Sequence, residues 1–237
     1  MHANNETGAI QDIKALGTIA RKYGAFFHTD ATQTIGKLSK LDFSTCDLIS
    51  ISAHKFHGMK GSGFLYINDN TKDHIDPLFY GGKQEMGLRP GTENIIGIIT
   101  MSMALSIARH NRASKNKLQI EKKDWITKQL KEGFKKHKFE IIGANSKNTV
   151  PNTLFISIDD ICNINLCRHL SEKCIIIGIG AACNNAKPSH VLRSMNLDKS
   201  KYMQVLRISL SDYTSWNDCQ YLVTTLIDLI EADNLQE

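Results

Sequence analysis

Apolar positions along this chain follow two rhythms, and the rhythms alternate. Ile13, Leu16, Ile19 and Ala20 fall at helical spacing behind Asp12, a residue that can cap a helix, and Gly24 ends the run. Residues 25–29 read as a short buried strand that delivers Asp30. Residues 47–52 and 64–67 read as two more strands with a glycine-rich loop between them. Ile95, Ile96, Ile99, Met103 and Leu105 predict an apolar helix over 93–108 with Thr92 as its cap. A longer, more charged helix is expected over 118–136. Then come strands at 139–142 and 153–158, a helix at 163–174 and a strand at 175–179. A short helix from Pro188, a strand at 205–210 and a last helix from Trp216 complete the series. Met1-His2-Ala3 looks like the tail of a strand, followed by a polar turn, Asn4 to Gly8.

Strands alternating with helices predict an α/β fold with a mostly parallel sheet. A change of composition at 109–117 (RHNRASKNK) marks a boundary between a larger domain, 1–112, and a smaller α+β domain, 113–237. No internal repeat or low-complexity tract interrupts either part.

Composition excludes more than it selects. Of 237 residues, 41% are hydrophobic and 22% charged, which is ordinary for a globular protein, and no apolar run is long enough to span a membrane. The first residues resemble neither a signal peptide nor a transit sequence, so a cytoplasmic or organelle-matrix site is expected, with no membrane partner. The net charge of +5 is mild, and its densest source is 128–138. With Trp125, Leu130 and Phe134 at helical spacing, that run reads as a solvated helix face rather than a nucleic-acid platform. The six cysteines form no CxxC pair, so spacing supports neither a zinc site nor a secreted disulfide framework. Five sit in apolar or helical contexts as packing thiols. Cys183 follows Gly180-Ala181-Ala182 and precedes Asn184-Asn185, a pattern of an exposed loop. Residues 178–183 lack the third glycine of a dinucleotide fingerprint, residues 58–63 are no Walker loop, and no G-x-S-x-G elbow exists.

Open sheets bind ligands beyond the carboxyl ends of their strands. Asn5, Asp30 and Ser52 to Lys55 all fall at such ends. Ser52, His54 and Lys55 lie within four residues, which alone reads equally well as a basic surface hairpin. Together, however, an aspartate can pair with a protonated pyridine nitrogen, a lysine can form an imine with an aldehyde, and a serine and a histidine can bind phosphate. Those are the needs of pyridoxal 5′-phosphate. The long polar loop at 81–92 is also of a kind that carries function.

The chain resembles the NifS/IscS-type cysteine desulfurases, of class V of the fold-type I pyridoxal-phosphate enzymes. The resemblance is carried by residues 1–8 (MHANNETG), 28–33 (HTDATQ), 52–58 (SAHKFHG), 81–85 (GGKQE) with 89–94 (RPGTEN), 180–183 (GAAC), 188–193 (PSHVLR) and 206–210 (LRISL), in the family's order. It implies part of a pyridoxal-phosphate-transferase large domain followed by a smaller α+β domain. Lys55 would hold the cofactor and act as base at the substrate Cα. Asp30 would pair with the pyridine nitrogen and Gln33 with the phenolic oxygen, with Asn5 near that oxygen and the substrate. Ser52 and His54 would bind the phosphate, and Thr92 would reach the cofactor of a neighbouring subunit in a homodimer. Arg207 would clamp the carboxylate of L-cysteine, for which a planar guanidinium is suited. Cys183 would take the sulfur as a persulfide and release L-alanine. An iron–sulfur scaffold or a sulfur carrier for tRNA thiolation would collect the sulfur. The resemblance implies no metal of the protein's own, though Cys183 could touch a transient iron–sulfur cluster. A selenocysteine lyase, a catalytically silent remnant acting as an interaction subunit, and a nucleic-acid-binding module are the alternatives.

The sequence departs from the family in places. Members carry a long portion before the Asn-Asn-Glu turn, with a phosphate-binding loop and a ring-stacking histidine. Without it the sheet is expected to have an open edge, and the chain by itself to bind the cofactor weakly or not at all. The Cys183 loop reaches Pro188 about two residues early, and Met59 stands where proline is common.

Overall fold

The computed structural model describes residues 1–143, 148–179 and 189–232. The chain divides into two compact units, one of residues 1–3 and 11–112, the other of residues 4–10 and 113–237.

In the first unit, α1 (Ile13–Lys22) starts where Asp12 Oδ1 accepts the Ala15 N–H at 2.9 Å. Gly17 lets α1 approach closely, because a Cβ there would stand 2.5 Å from Thr45 Oγ1. Strands β1 (His28–Asp30), β2 (Leu48–Ser52) and β3 (Gly63–Ile67) form the sheet in that order. β1 runs parallel to β2 with Asp30 opposite Ser50, and β2 runs antiparallel to β3 with Ser52 opposite Gly63. The described sheet is therefore mixed, one parallel step and one long hairpin. Residues 1–3 border it, with His2 N donating to the Asp30 carbonyl at 2.8 Å. A single turn of 3₁₀ helix, Ala53–Phe56, follows β2 directly. Ile49, Ile51, Ala53 and Phe56 pack with Ile13, Ala31, Met101 and Ala108 in the core.

α2 (Ile95–Arg109) starts later than the periodicity suggested, and Thr92 does not cap it. Asn94 does, with Oδ1 accepting the Gly97 N–H at 3.0 Å. A short amide at the position just before the first helical residue reaches a free N–H that Thr92, two residues further back, cannot.

The second unit contains α3 (Arg112–Gly133), β4 (Phe139–Ile141), β5 (Thr153–Ile158), α4 (Asn163–Glu172), α5 (His190–Ser194), β6 (Val205–Ser209) and α6 (Trp216–Glu231). α3 opens at the last residue of the first unit, earlier than expected, because its polar first turns carry no apolar period. The sheet order is β4-β5-β6, all antiparallel, with Phe155 opposite Arg207. β5 is buried at every position. Its residues pack with Ile126 and Leu130 of α3, Leu166 and Leu170 of α4, and Leu222, Leu226 and Ile230 of α6. The i, i+4 spacing of these pairs places them on one helix face. Ser215 and Asp218 form a reciprocal capping box at the head of α6.

The apolar run at 175–179 is not a strand. Among the described residues only Gly178 bridges, exchanging backbone hydrogen bonds with Arg207, while Ile176 is 90% exposed. A run that meets β6 at one residue and leaves a side chain in water lacks both the ladder and the buried face of a strand. α5 begins at His190 behind Ser189; Pro188, its expected first residue, lies outside the described residues.

Candidate functional site

Within the first unit, the parallel pairing of β1 and β2 sets their carboxyl ends side by side. β1 ends at Asp30, whose Oδ1 accepts the Thr32 N–H at 2.8 Å and turns the chain away. Gln33 follows in that turn, and its Oε1 accepts from Lys37 Nζ at 2.6 Å. β2 ends at Ser52, half-buried, with Oγ 2.8 Å from Nδ1 of His54.

The turn after β2 is anchored and yet presents its polar residues outward. Ala53 and Phe56 are buried, while His54 and Lys55 between them are exposed. Gly58 N closes the turn on the Ala53 carbonyl at 2.9 Å, and His57 takes a left-handed φ of 70°. Gly58 is tightly fitted, since a Cβ there would stand 2.9 Å from that of Ala53. Burial, and then the charges of Lys55, Lys60 and Lys37, push the His54 imidazole below its ordinary range. That cationic surrounding suits an anionic ligand.

The donor set fits pyridoxal phosphate. A carboxylate ends one strand, a hydroxyl and an imidazole in mutual contact end its neighbour, and an amine follows in the same anchored turn. Thr92 is exposed, two residues before the Asn94 cap.

Asn5 and Arg207 belong to the second unit. Arg207 sits in the middle of β6, and its Nη1 donates to the Asn5 carbonyl at 3.1 Å. Its Nε is buried with no hydrogen-bond partner among the described residues. Gly178 makes room for the guanidinium, because a Cβ at 178 would lie 3.0 Å from Nη2 and 3.2 Å from Nε. Burial pulls the Arg207 pKa below its ordinary value, and the charge of Glu6 offsets only part of that. A buried N–H with no partner is costly and marks a place for an acceptor. Cys183 lies outside the described residues.

Glu6, Gly178 and Ser189 received no role from sequence. Glu6 and Ser189 lie inside matched stretches, but nothing in their types or spacing announces that an acid will be buried or what will satisfy it.

The aminotransferase class-V family model matches residues 1–222. A cysteine desulfurase IscS of Dictyoglomus turgidum is 36% identical over 234 residues, which are 98% of this chain and 58% of that protein. A cysteine desulfurase of Bradyrhizobium diazoefficiens is 37% identical over 233 residues, 97% of this chain and 58% of its own length. A solved NifS-like protein superposes with a TM-score of 0.86 at 32% identity, over 98% of this chain and 60% of that one. The chain thus spans less than two thirds of the length of the relatives it matches.

Proposed function

The chain belongs to the class-V aminotransferase family, and on that footing we propose that it carries cofactor and substrate residues of a cysteine desulfurase. Family members are pyridoxal-phosphate-dependent enzymes. The reading rests chiefly on the parallel register of β1 and β2, which gives Asp30 and the Ser52-to-Lys55 turn adjacent strand ends.

When bound, pyridoxal phosphate supplies an electron sink for negative charge developing at the substrate Cα. Ser52 and His54 hold its phosphate. Whichever of the two donates across their 2.8 Å contact, one outward-facing donor remains for a phosphate oxygen. Asp30 keeps a proton on the pyridine nitrogen by offering it a negative charge. Gln33 has its amide oxygen engaged by Lys37, so its nitrogen is the group that donates to the phenolic oxygen. Lys55 holds the cofactor's aldehyde carbon and moves the proton at Cα. Arg207 binds the carboxylate of L-cysteine through the Nε edge, with Asn5 beside it. Cys183, as a thiolate, would attack the sulfur of the bound L-cysteine. The S–S bond would form as the Cβ–S bond breaks, and the electron pair would stay on Cβ, which takes up a proton and leaves as L-alanine. An iron–sulfur scaffold or sulfur carrier would collect the sulfur from the persulfide. Thr92 reaches the cofactor of a second subunit in a homodimer.

The test is to add pyridoxal phosphate to the purified chain, trap with borohydride and map the modified lysine by mass spectrometry. Trapping captures even a sparsely populated adduct. Selective modification of Lys55, lost in Lys55→Ala, is the expected result. Labelling spread over the lysines with no preference for Lys55 would refute the reading.

A further inference from the structure

Glu6 is fully buried, 0% exposed, and the assigned roles do not use it. A buried carboxylate needs donors or a nearby cation. Its donor is Ser189, whose Oγ stands 2.9 and 2.7 Å from the two carboxylate oxygens. One hydroxyl carries one proton, so the two oxygens share it. The same Oγ accepts the Val191 N–H at 3.0 Å, which fixes the hydroxyl in turn. The cation is Arg207, whose Nη1 donates at 3.1 Å to the carbonyl of Asn5, the residue before Glu6, and whose charged form the Glu6 carboxylate favours. The chain thus brings the acid next to the carbonyl that holds the guanidinium, while the one proton its oxygens receive comes from Ser189.

We propose that Glu6 is a positioning residue for Arg207: Ser189 holds its carboxylate so that it compensates the buried guanidinium without closing onto the Nε edge that takes the substrate carboxylate. This rests on Arg207 being the carboxylate-binding residue. Released from Ser189, the carboxylate closes on that edge and competes with substrate.

The test uses the full chain, the Arg207 Nε–Hε resonance, identified by its loss in Arg207→Ala, and L-alanine as probe. Arg207→Ala abolishes alanine binding as followed on the remaining signals; if it does not, the reading of Arg207 falls and the proposal with it. Ser189→Ala shifts the free Nε–Hε resonance toward an ion-paired position and weakens binding about tenfold. Ser189→Thr, which keeps the hydroxyl, binds as the parent does. The deciding variant is Ser189→Ala with Glu6→Gln, which binds as Glu6→Gln alone does, about threefold tighter than the parent, because no anion is left to compete. If Arg207→Ala abolishes binding and the double variant stays as weak as Ser189→Ala, then Ser189 is only a helix cap and the proposal is wrong. Should Ser189→Ala not fold, Glu6→Gln alone decides. It binds about threefold tighter, since one negative charge near the bound carboxylate is gone, and unchanged affinity overturns the proposal.

Discussion

The Ser52 hydroxyl and the His54 ring touch across a single intervening residue, 2.8 Å from Oγ to Nδ1, at the point where β2 gives way to its closing turn. Ala53 between them is buried, and the contact places both side chains on the same side of the turn. If the pair serves a phosphate, its loss must matter only for a ligand that has one. Ser52→Ala and His54→Ala are each expected to cut pyridoxal-phosphate labelling of Lys55 about tenfold, the value of one hydrogen bond to a charged group. Labelling by pyridoxal, which lacks the phosphate, stays the same. An equal fall for both reagents would show that the substitutions disturb Lys55 itself.

Asn94 and Thr92 separate the two things that a polar residue before a helix can do. Asn94→Ala removes the acceptor for Gly97 N and is expected to cost about 1 kcal/mol. Thr92→Ala, at an exposed residue outside the cap, is expected to stay within about 0.5 kcal/mol. Urea unfolding of the three chains measures both.

The sequence made most elements legible and their ends less so. Helical spacing located α4 and α6 because each buries one narrow apolar stripe, and α1 by the same spacing although Leu16 and Ile19 are exposed; β5 was located because a mostly apolar run, broken only by Ser157, is buried at every position. The run at 175–179 is as apolar as a strand, but whether a run pairs depends on the backbone opposite, and β6 offers it one residue. The polar start of α3 read as a linker because a solvated helical turn and a linker have the same composition. At the candidate site, Asp30 and Ser52 to Lys55 could be placed at strand ends, because ends follow from the pattern. That Glu6 is buried on Ser189, 183 residues away, could not, since a long-range hydrogen bond leaves no local periodicity.

Glu140 offers a pH-dependent contribution with a defined window. Hydrogen bonds from Lys138, at 2.7 Å, and from Lys201 hold its carboxyl at about 2 in the folded protein, against 4.5 for a free side chain. A depressed folded pKa means that the unfolded chain binds the proton first as pH falls. The stabilisation is whole above pH 4.5, declines as pH drops from there toward 2, and is gone below it. Glu140→Gln should therefore be less stable than the parent at neutral pH and equal to it in strong acid. Because the group is partly exposed, the neutral-pH difference is small and shrinks with added salt. Urea midpoints at several pH values would show it, and a gap that persists unchanged in strong acid would mean that packing, not charge, is responsible.

Leu170 and Ile176 test where the second unit keeps its core. Leu170 is fully buried with Leu166 against β5, and its carbonyl accepts the Ile175 N–H at 2.9 Å, so the chain turns back right after α4. Leu170→Ala empties a leucine-sized space among residues that cannot all close on it, and about 3 kcal/mol is the expected loss. Ile176, six residues on and equally apolar in sequence, is 90% exposed. Ile176→Ala removes nothing from a core, and its stability should match the parent within about 0.5 kcal/mol. If 175–179 instead formed a buried strand, the two substitutions would cost alike. Denaturant unfolding of both variants therefore distinguishes a single bridge at Gly178 from a fourth strand beside β6.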